Sequence, residues 1–170
     1  MTYSKALFLH LAVDAAASYG AAVEYRDVHG AVTDHLVFRT SPGRIYSTSQ
    51  AYSHAVLDFR DSPRLEVHVG VQVLGRSGVL HECDVLILPE DEAALCRQNE
   101  VAPKGNRCLL AIECKYYGSY LDLGLARGFV GLHADLGMQA IFVANVWAPR
   151  VERYLALRHE GWVGVLLTAR

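Results

Sequence analysis

Three side chains in the middle of the chain are of the types that do chemistry together. Asp84 lies in "VLHECDVLIL" (79–88), and Glu113 and Lys115 lie two apart in "CLLAIECKYY" (108–117). Hard divalent cations such as Mg2+ or Mn2+ prefer carboxylate, carbonyl and water oxygens. Asp84 and Glu113, with the main-chain carbonyl of Cys114, form such a donor set. Lys115 beside it can orient or deprotonate an attacking water, or neutralise charge growing on a phosphate. Unpaired charges are costly to bury, so these residues inside apolar runs require a compensating partner.

The elements that position them are strands. Val67, Val69, Val71 and Val73 alternate with polar or small residues from Leu65 onward, the period of two of a strand. "GRSG" turns the chain, and Val79 to Leu88 returns as the second arm of an antiparallel hairpin. Alternation puts Glu82 and Asp84 on one face and His81, Cys83 and Val85 on the other. A third strand, Cys108 to Tyr117, puts Ala111, Glu113, Lys115 and Tyr117 on one face, against Ile112, Cys114 and Tyr116. If the second and third strands are neighbours, Asp84, Glu113 and Lys115 converge.

The flanking elements follow from periodicity and punctuation. Ser4 to Gly20 reads as a helix, with Leu7, Leu11 and Ala15 at four-residue spacing and His10 and Asp14 breaking what would otherwise suggest a signal peptide. Between Tyr25 and Phe59 "AVTDHLVF" suggests a strand and "SQAYSHAVLDF" either helix or strand. Residues 89–107 read as a surface connection with one helical turn at Glu92 to Cys96. Leu121, Leu125, Phe129, Leu132 and Leu136 mark a helix over Ser119–Leu136, whose Gly124, Gly128 and Gly131 suggest close packing. "QAIFVANVW" reads as a strand, "APRVERYLALRHE" as a helix with Pro149 in its first turn, and "WVGVLL" as a last strand. The order implies one α/β domain over residues 1–170, a mixed central sheet flanked by helices.

With these elements in place, the segment from Leu65 to Asn145 resembles the PD-(D/E)xK phosphodiesterases, the restriction-endonuclease-like superfamily. Asp84 stands at the position of the family's hairpin aspartate, and Glu113 and Lys115 at its Glu-x-Lys, while Cys83 replaces the proline that names the motif. The resemblance implies an α-β-β-β-α-β core, here with extra N-terminal strands and a C-terminal helix and strand. It further implies Mg2+- or Mn2+-dependent hydrolysis of nucleic acid, DNA rather than RNA. A homodimer or a complex with a partner protein is implied too, in bacterial defence or DNA processing. Many members carry an acid on the first helix, for which Asp14 and Glu24 are candidates.

Several neighbours have two readings. Glu82 is either a further ligand or a strand-edge carboxylate paired with a residue such as Arg76. Glu66 and His68, on the polar face of the first hairpin strand, either border the site or are solvated. Tyr117, with Tyr116 and Tyr120, either contacts substrate or completes packing. Arg97, Lys104, Arg107 and Arg127 either contact a phosphate backbone or are ordinary solvated cations.

Composition bounds the partners. Of 170 residues 52% are hydrophobic and 20% charged, which describes a well-packed globule. Sixteen Lys and Arg against eighteen Asp and Glu give a net charge of −2, so no global basic field draws in a polyanion. No run approaches the ~18 apolar residues of a membrane span. The four cysteines show no CxxC spacing, which argues for buried thiols in a cytoplasmic protein rather than zinc or disulfides. The acidic balance also keeps open a catalytically silent module of the same fold that binds nucleic acid or a protein partner.

Overall fold

A computed structural model of the chain describes residues 2–164. All seven strands join one sheet in chain order: β1 (Ala22–Arg26), β2 (His54–Asp58), β3 (Leu65–Leu74), β4 (Leu80–Pro89), β5 (Leu110–Lys115), β6 (Gln139–Ala144) and β7 (Gly161–Gly164). The first five pair antiparallel and the last three parallel. The crossovers that parallel pairing requires are helices α3 (Leu123–Leu136) and α4 (Pro149–Ala156). Two further helices, α1 (Thr2–Ser18) and α2 (Glu90–Gln98), precede β1 and follow β4.

Helices cover both faces of the sheet, giving an α/β sandwich with two apolar layers. On one face α1 lays Phe8, Leu9 and Val13 against Val67, Val69, Val85, Ile112 and Cys114. On the other, α2, α3 and α4 contribute Ala93, Phe129, Leu136, Val151 and Leu155 over Leu86, Leu88, Ala111 and Phe142. Each large side chain removed from water in this way contributes roughly 1.5–3 kcal/mol.

The expected elements are present with shifted bounds and three corrections. The segment "AVTDHLVF" is not a strand: it holds only an isolated bridge from Val32 to Arg26, and Val37 is tied to Ser53 through both its N–H and its carbonyl. The 89–107 connection contains a full helix, α2, because Glu90, Asp91 and Glu92 suit a helix N-terminus and Arg97 its last turn. The fully buried side of α1 is Phe8, Leu9 and Val13; of Leu7, Leu11 and Ala15, Leu11 packs partly buried against the same layer and Ala15 is exposed. Of the last strand, residues 165–170 lie outside the described residues.

The hairpin β3–β4 is the longest element of the sheet, and it bends in the middle. Val69 pairs with Val85 and Val71 with Cys83, and at the intervening Gly70 the backbone takes φ +64°. Val69 and Val85 enter the α1 layer, whereas Val71 and Cys83 enter the opposite one. Simple alternation therefore fails here, and Cys83 does not share a face with Cys114 as expected. Residues 43–44 lie along the bend, with Gly43 bonding Gly70 and Gln72 at 3.0 Å each. The hairpin tip is held to α3 by Asp135, which accepts from Ser77 N (2.8 Å), Ser77 Oγ (2.6 Å) and His81 Nε2 (2.6 Å).

Of the three glycines of α3 only Gly124 meets a close neighbour, the capping carboxylate of Asp122. A Cβ at Gly128 or Gly131 would meet nothing within 4 Å, so both sit on the open face of the helix. Helical glycine there adds only unfolded-state freedom. Gly128→Ala and Gly131→Ala should each stabilise the fold by about 0.5–1 kcal/mol, read as a higher urea midpoint at unchanged slope.

Candidate functional site

Strands β4 and β5 run side by side only as far as Val85 opposite Ile112. Continuing that register places Asp84 opposite Glu113 and Cys83 opposite Cys114. The main-chain ladder does not continue. The Cys114 N–H instead donates to Asp84 Oδ2 at 2.9 Å, so a carboxylate stands in for a backbone acceptor where the strands part. A strand residue's N–H and C=O leave the same edge, which directs the Cys114 carbonyl to the β4 side as well. Asp84 is buried at 8% exposure.

Glu113 and Lys115 share the face of Ala111 and form a close ion pair with each other. Burial pushes the Glu113 carboxyl above its ordinary value; Lys115 opposes this, and the nearby negative charges of Asp84 and Glu82 add to it. Burial alone would lower the Lys115 ammonium, but Glu113, with Asp84 and Tyr117 behind it, raises it. Glu82 lies across from Gln72 on the bent half of the hairpin, close enough to act on Glu113. Cys83 is a buried thiol near the same acids, and burial, with Cys108 and then Glu113, Asp84 and Glu82, pushes it out of its ordinary range. The structure thus brings together Asp84, Glu113, Lys115 and Glu82. It leaves Asp14 exposed on α1, outside the opposite face, beside His10 at 3.2 Å. Glu24 is engaged on β1 by Arg26 at 2.7 Å.

Glu66 and His68 are neither solvated nor at the fork. Both are fully buried, and with His54 they form a second polar group two strands away, separated from the fork by Leu86 and Leu88 of β4. Arg97 reaches from α2 to fork both Glu66 oxygens, at 2.6 and 2.8 Å, which also withdraws it from the phosphate-contacting role. Burial disfavours the Glu66 charge, but Arg97 and then His68 more than compensate and hold its pKa below the carboxylate range. An ionised carboxylate only accepts, so His68 donates from Nε2 at 2.7 Å. His54 stacks on His68 with centroids 4.7 Å apart. Burial, and then the neighbouring His68, lowers His54 to about 3; burial likewise lowers His68. Ligand atoms of His54, Glu66 and His68 lie within 4.8 Å of one another, a spacing that can hold a metal ion. Arg97 already answers the only negative charge in the group, however, so it acts as a clasp joining α2 to β3. The buried pattern of a valine-rich strand was the available signal for Glu66 and His68; nothing local pointed to His54.

Beyond Lys115 the chain leaves the sheet at the edge where β6 also ends, since Lys115 pairs with Ala144. Asn145 ties the two exits together. Its side chain accepts from Tyr117 N at 2.8 Å and donates to Tyr117 O at 2.9 Å. Tyr116, Tyr117, Tyr120 and Trp147 all stand exposed here. Asn145 and Trp147 escaped the sequence reading because they lie about 30 residues from Lys115 and carry no motif. Lys104 and Arg107 are exposed around an open pocket near the hairpin tip that half-buried Arg44 also lines, and Arg127 is exposed on α3. No protein-family model matches the chain, and comparison with curated proteins and solved structures likewise yields no match.

The clasp predicts how stability depends on pH. His54 and His68 are held neutral in the fold, so the unfolded chain takes up their protons first. Their stabilisation is complete above about pH 6.5 and falls as pH drops below it, by about 1.4 kcal/mol per pH unit per histidine. For His54 the loss continues toward pH 3. The urea midpoint should fall between about pH 7 and pH 5, and more gently in His54→Phe. Arg97→Ala, which strands the Glu66 charge, should cost about 3 kcal/mol at neutral pH.

Proposed function

We propose that the protein is a Mg2+- or Mn2+-dependent nuclease with a restriction-endonuclease-like core, hydrolysing phosphodiester bonds of nucleic acid, DNA before RNA. The observation that carries this reading is the crowding of Asp84, Glu82 and Glu113 around an opening in the sheet, with one lysine among them. Such a donor set suits a hard cation, held by Asp84, Glu113 and the Cys114 carbonyl. The bound metal would supply Lewis acidity toward the phosphoryl oxygens and a more acidic water. The chain's own contribution is positional. Asp84 is aimed by its bond to Cys114, Glu113 is held opposite it, and the Lys115 ammonium stands where a phosphate would gather charge.

The order of elements supports the same reading. Helix α1, hairpin β3–β4, strand β5, helix α3 and parallel strand β6 follow one another as in the core of that superfamily. Here β1 and β2 are inserted between the helix and the hairpin, and α4 and β7 extend the sheet beyond β6.

The test is cleavage of supercoiled, linear and single-stranded DNA and of RNA, with Mg2+, Mn2+ or chelator, alongside Lys115→Ala and Asp84→Ala. Cleavage should need metal, and each variant should lose roughly 100-fold or more while keeping the far-UV spectrum of the parent. Chelator-resistant cleavage, or an undiminished Lys115→Ala, would sink the assignment. Nucleic-acid or protein binding without cleavage in any metal would instead identify a silent module.

A further inference from the structure

The nuclease reading does not account for the aromatic cluster at the rim of the fork. Tyr116 is 66% exposed, Tyr120 77%, Trp147 70% and Tyr117 38%. Large aromatic rings lose about 150–250 Å² of accessible surface when covered, so four standing open on the segments that leave β5 and β6, two of them lining one pocket, point to a surface that is covered in use. Chain order makes them neighbours of the chemistry: Tyr116 and Tyr117 directly follow Lys115, and Trp147 comes three residues after Ala144, the register partner of Lys115.

The rim is built rather than loose. Asn145 bonds Tyr117 through both its amide groups, and its own N–H donates to Lys115 O at 3.3 Å. Tyr117, Ser119, Tyr120, Asp122, Gly124 and Leu125 line an open pocket of ≈ 420 Å³, within the range that small organic groups occupy. Asp122 accepts from Gly124 N at 2.6 Å as the cap of α3, so its carboxylate is engaged with the helix. Helices α3 and α4 both begin at this edge, and each carries an exposed arginine in its opening turns, Arg127 and Arg150.

We propose that this rim is a stacking platform for the bases of a single-stranded nucleic acid, whose phosphates run toward Lys115; the proposal deepens, and rests on, the nuclease reading above. Two physical arguments select that occupant. A duplex hides its base faces inside the stack, so rings standing open at this rim have nothing of it to stack on, and a net charge of −2 supplies no global field toward its phosphates. A single strand presents bare π-faces that Tyr and Trp bind without charge, and needs only scattered cations such as Arg127 and Arg150 along its backbone. Tyr and Trp at this density, rather than Leu or Ile, match a ligand that is itself flat and aromatic.

The experiment reads Trp147 fluorescence in a Trp162→Phe background, with a thymidine 12-mer in chelator so that no cleavage intervenes. Labelled-oligonucleotide anisotropy is measured alongside for Tyr120→Ala, Tyr120→Phe and Trp147→Ala. Binding should quench Trp147. Tyr120→Ala and Trp147→Ala should each weaken affinity about 5- to 150-fold, the change expected for one lost base stack, and Tyr120→Phe should keep it. Affinity for the matching duplex should be markedly lower. Changes under twofold in both alanine variants, or equal affinity for duplex, would overturn the platform. So would loss of a dimer in the variants, which would identify a second copy as the occupant. The two readings fail separately. Quenching retained by Lys115→Ala and by a wild type that cuts nothing would uphold the platform while removing the nuclease, whereas normal cleavage with unaltered binding in the aromatic variants would remove only the platform.

Discussion

The geometry of this protein's centre depends on one substitution of hydrogen-bond partner: a side-chain carboxylate in place of a main-chain carbonyl. At the point where β4 and β5 part, the Cys114 N–H would be orphaned inside the sheet if Asp84 did not accept it. A buried donor without a partner costs on the order of 1–3 kcal/mol, so the strands can separate only where a residue such as Asp84 satisfies the exposed edge. The same bond fixes the aspartate's orientation. Glu113 and Lys115, one residue to either side of Cys114, are placed by the pleat.

Two polar groups on one sheet face show opposite ways of placing charge in an apolar sandwich. At the clasp Glu66 meets a forked Arg97 and a donating His68, and the second imidazole stacks uncharged beside them. Through Arg97 that group holds α2 to the sheet, and among the described residues it leaves His54 Nδ1 and His68 Nδ1 buried without a hydrogen-bond partner. At the fork burial raises the Glu113 carboxyl, Lys115 opposes it, and the neighbouring Asp84 and Glu82 add to it. The contrast is why the fork, rather than the clasp with its metal-compatible spacing, is the site proposed above for chemistry.

Parallel pairing at one end of the sheet explains where the mouth lies. Crossover helices return the chain to the same edge each time, so the loops after β5 and β6 emerge together, as at the carboxyl ends of strands in open α/β sheets generally. Asn145 turns that proximity into a fixed relation by bonding Tyr117 across the gap. The antiparallel half of the sheet contributes differently: the long bent hairpin carries Asp84 and Glu82 into the fork, and Asp135 holds its tip.

By itself the sequence determined the strands and helices around the site and the residues that meet there. Alternation in the valine run and four-residue spacing in the leucines are local consequences of backbone geometry, and Asp84 and Glu-x-Lys can be read wherever neighbouring strands are inferred. Tertiary structure decided what alternation could not. Gly70, at positive φ, bends the hairpin and moves Cys83 to the face opposite Cys114. Glu66 and His68, polar residues in a half-polar pattern, are buried together because Arg97, 31 residues after Glu66, forks that carboxylate from α2 while His68 donates to it. The open glycine face of α3 and the pairing of Asn145 with Tyr117 depend likewise on which element packs where. Residues distant in the chain set the electrostatics and hydrogen bonds of each of these groups, and no periodicity of a single segment encodes them.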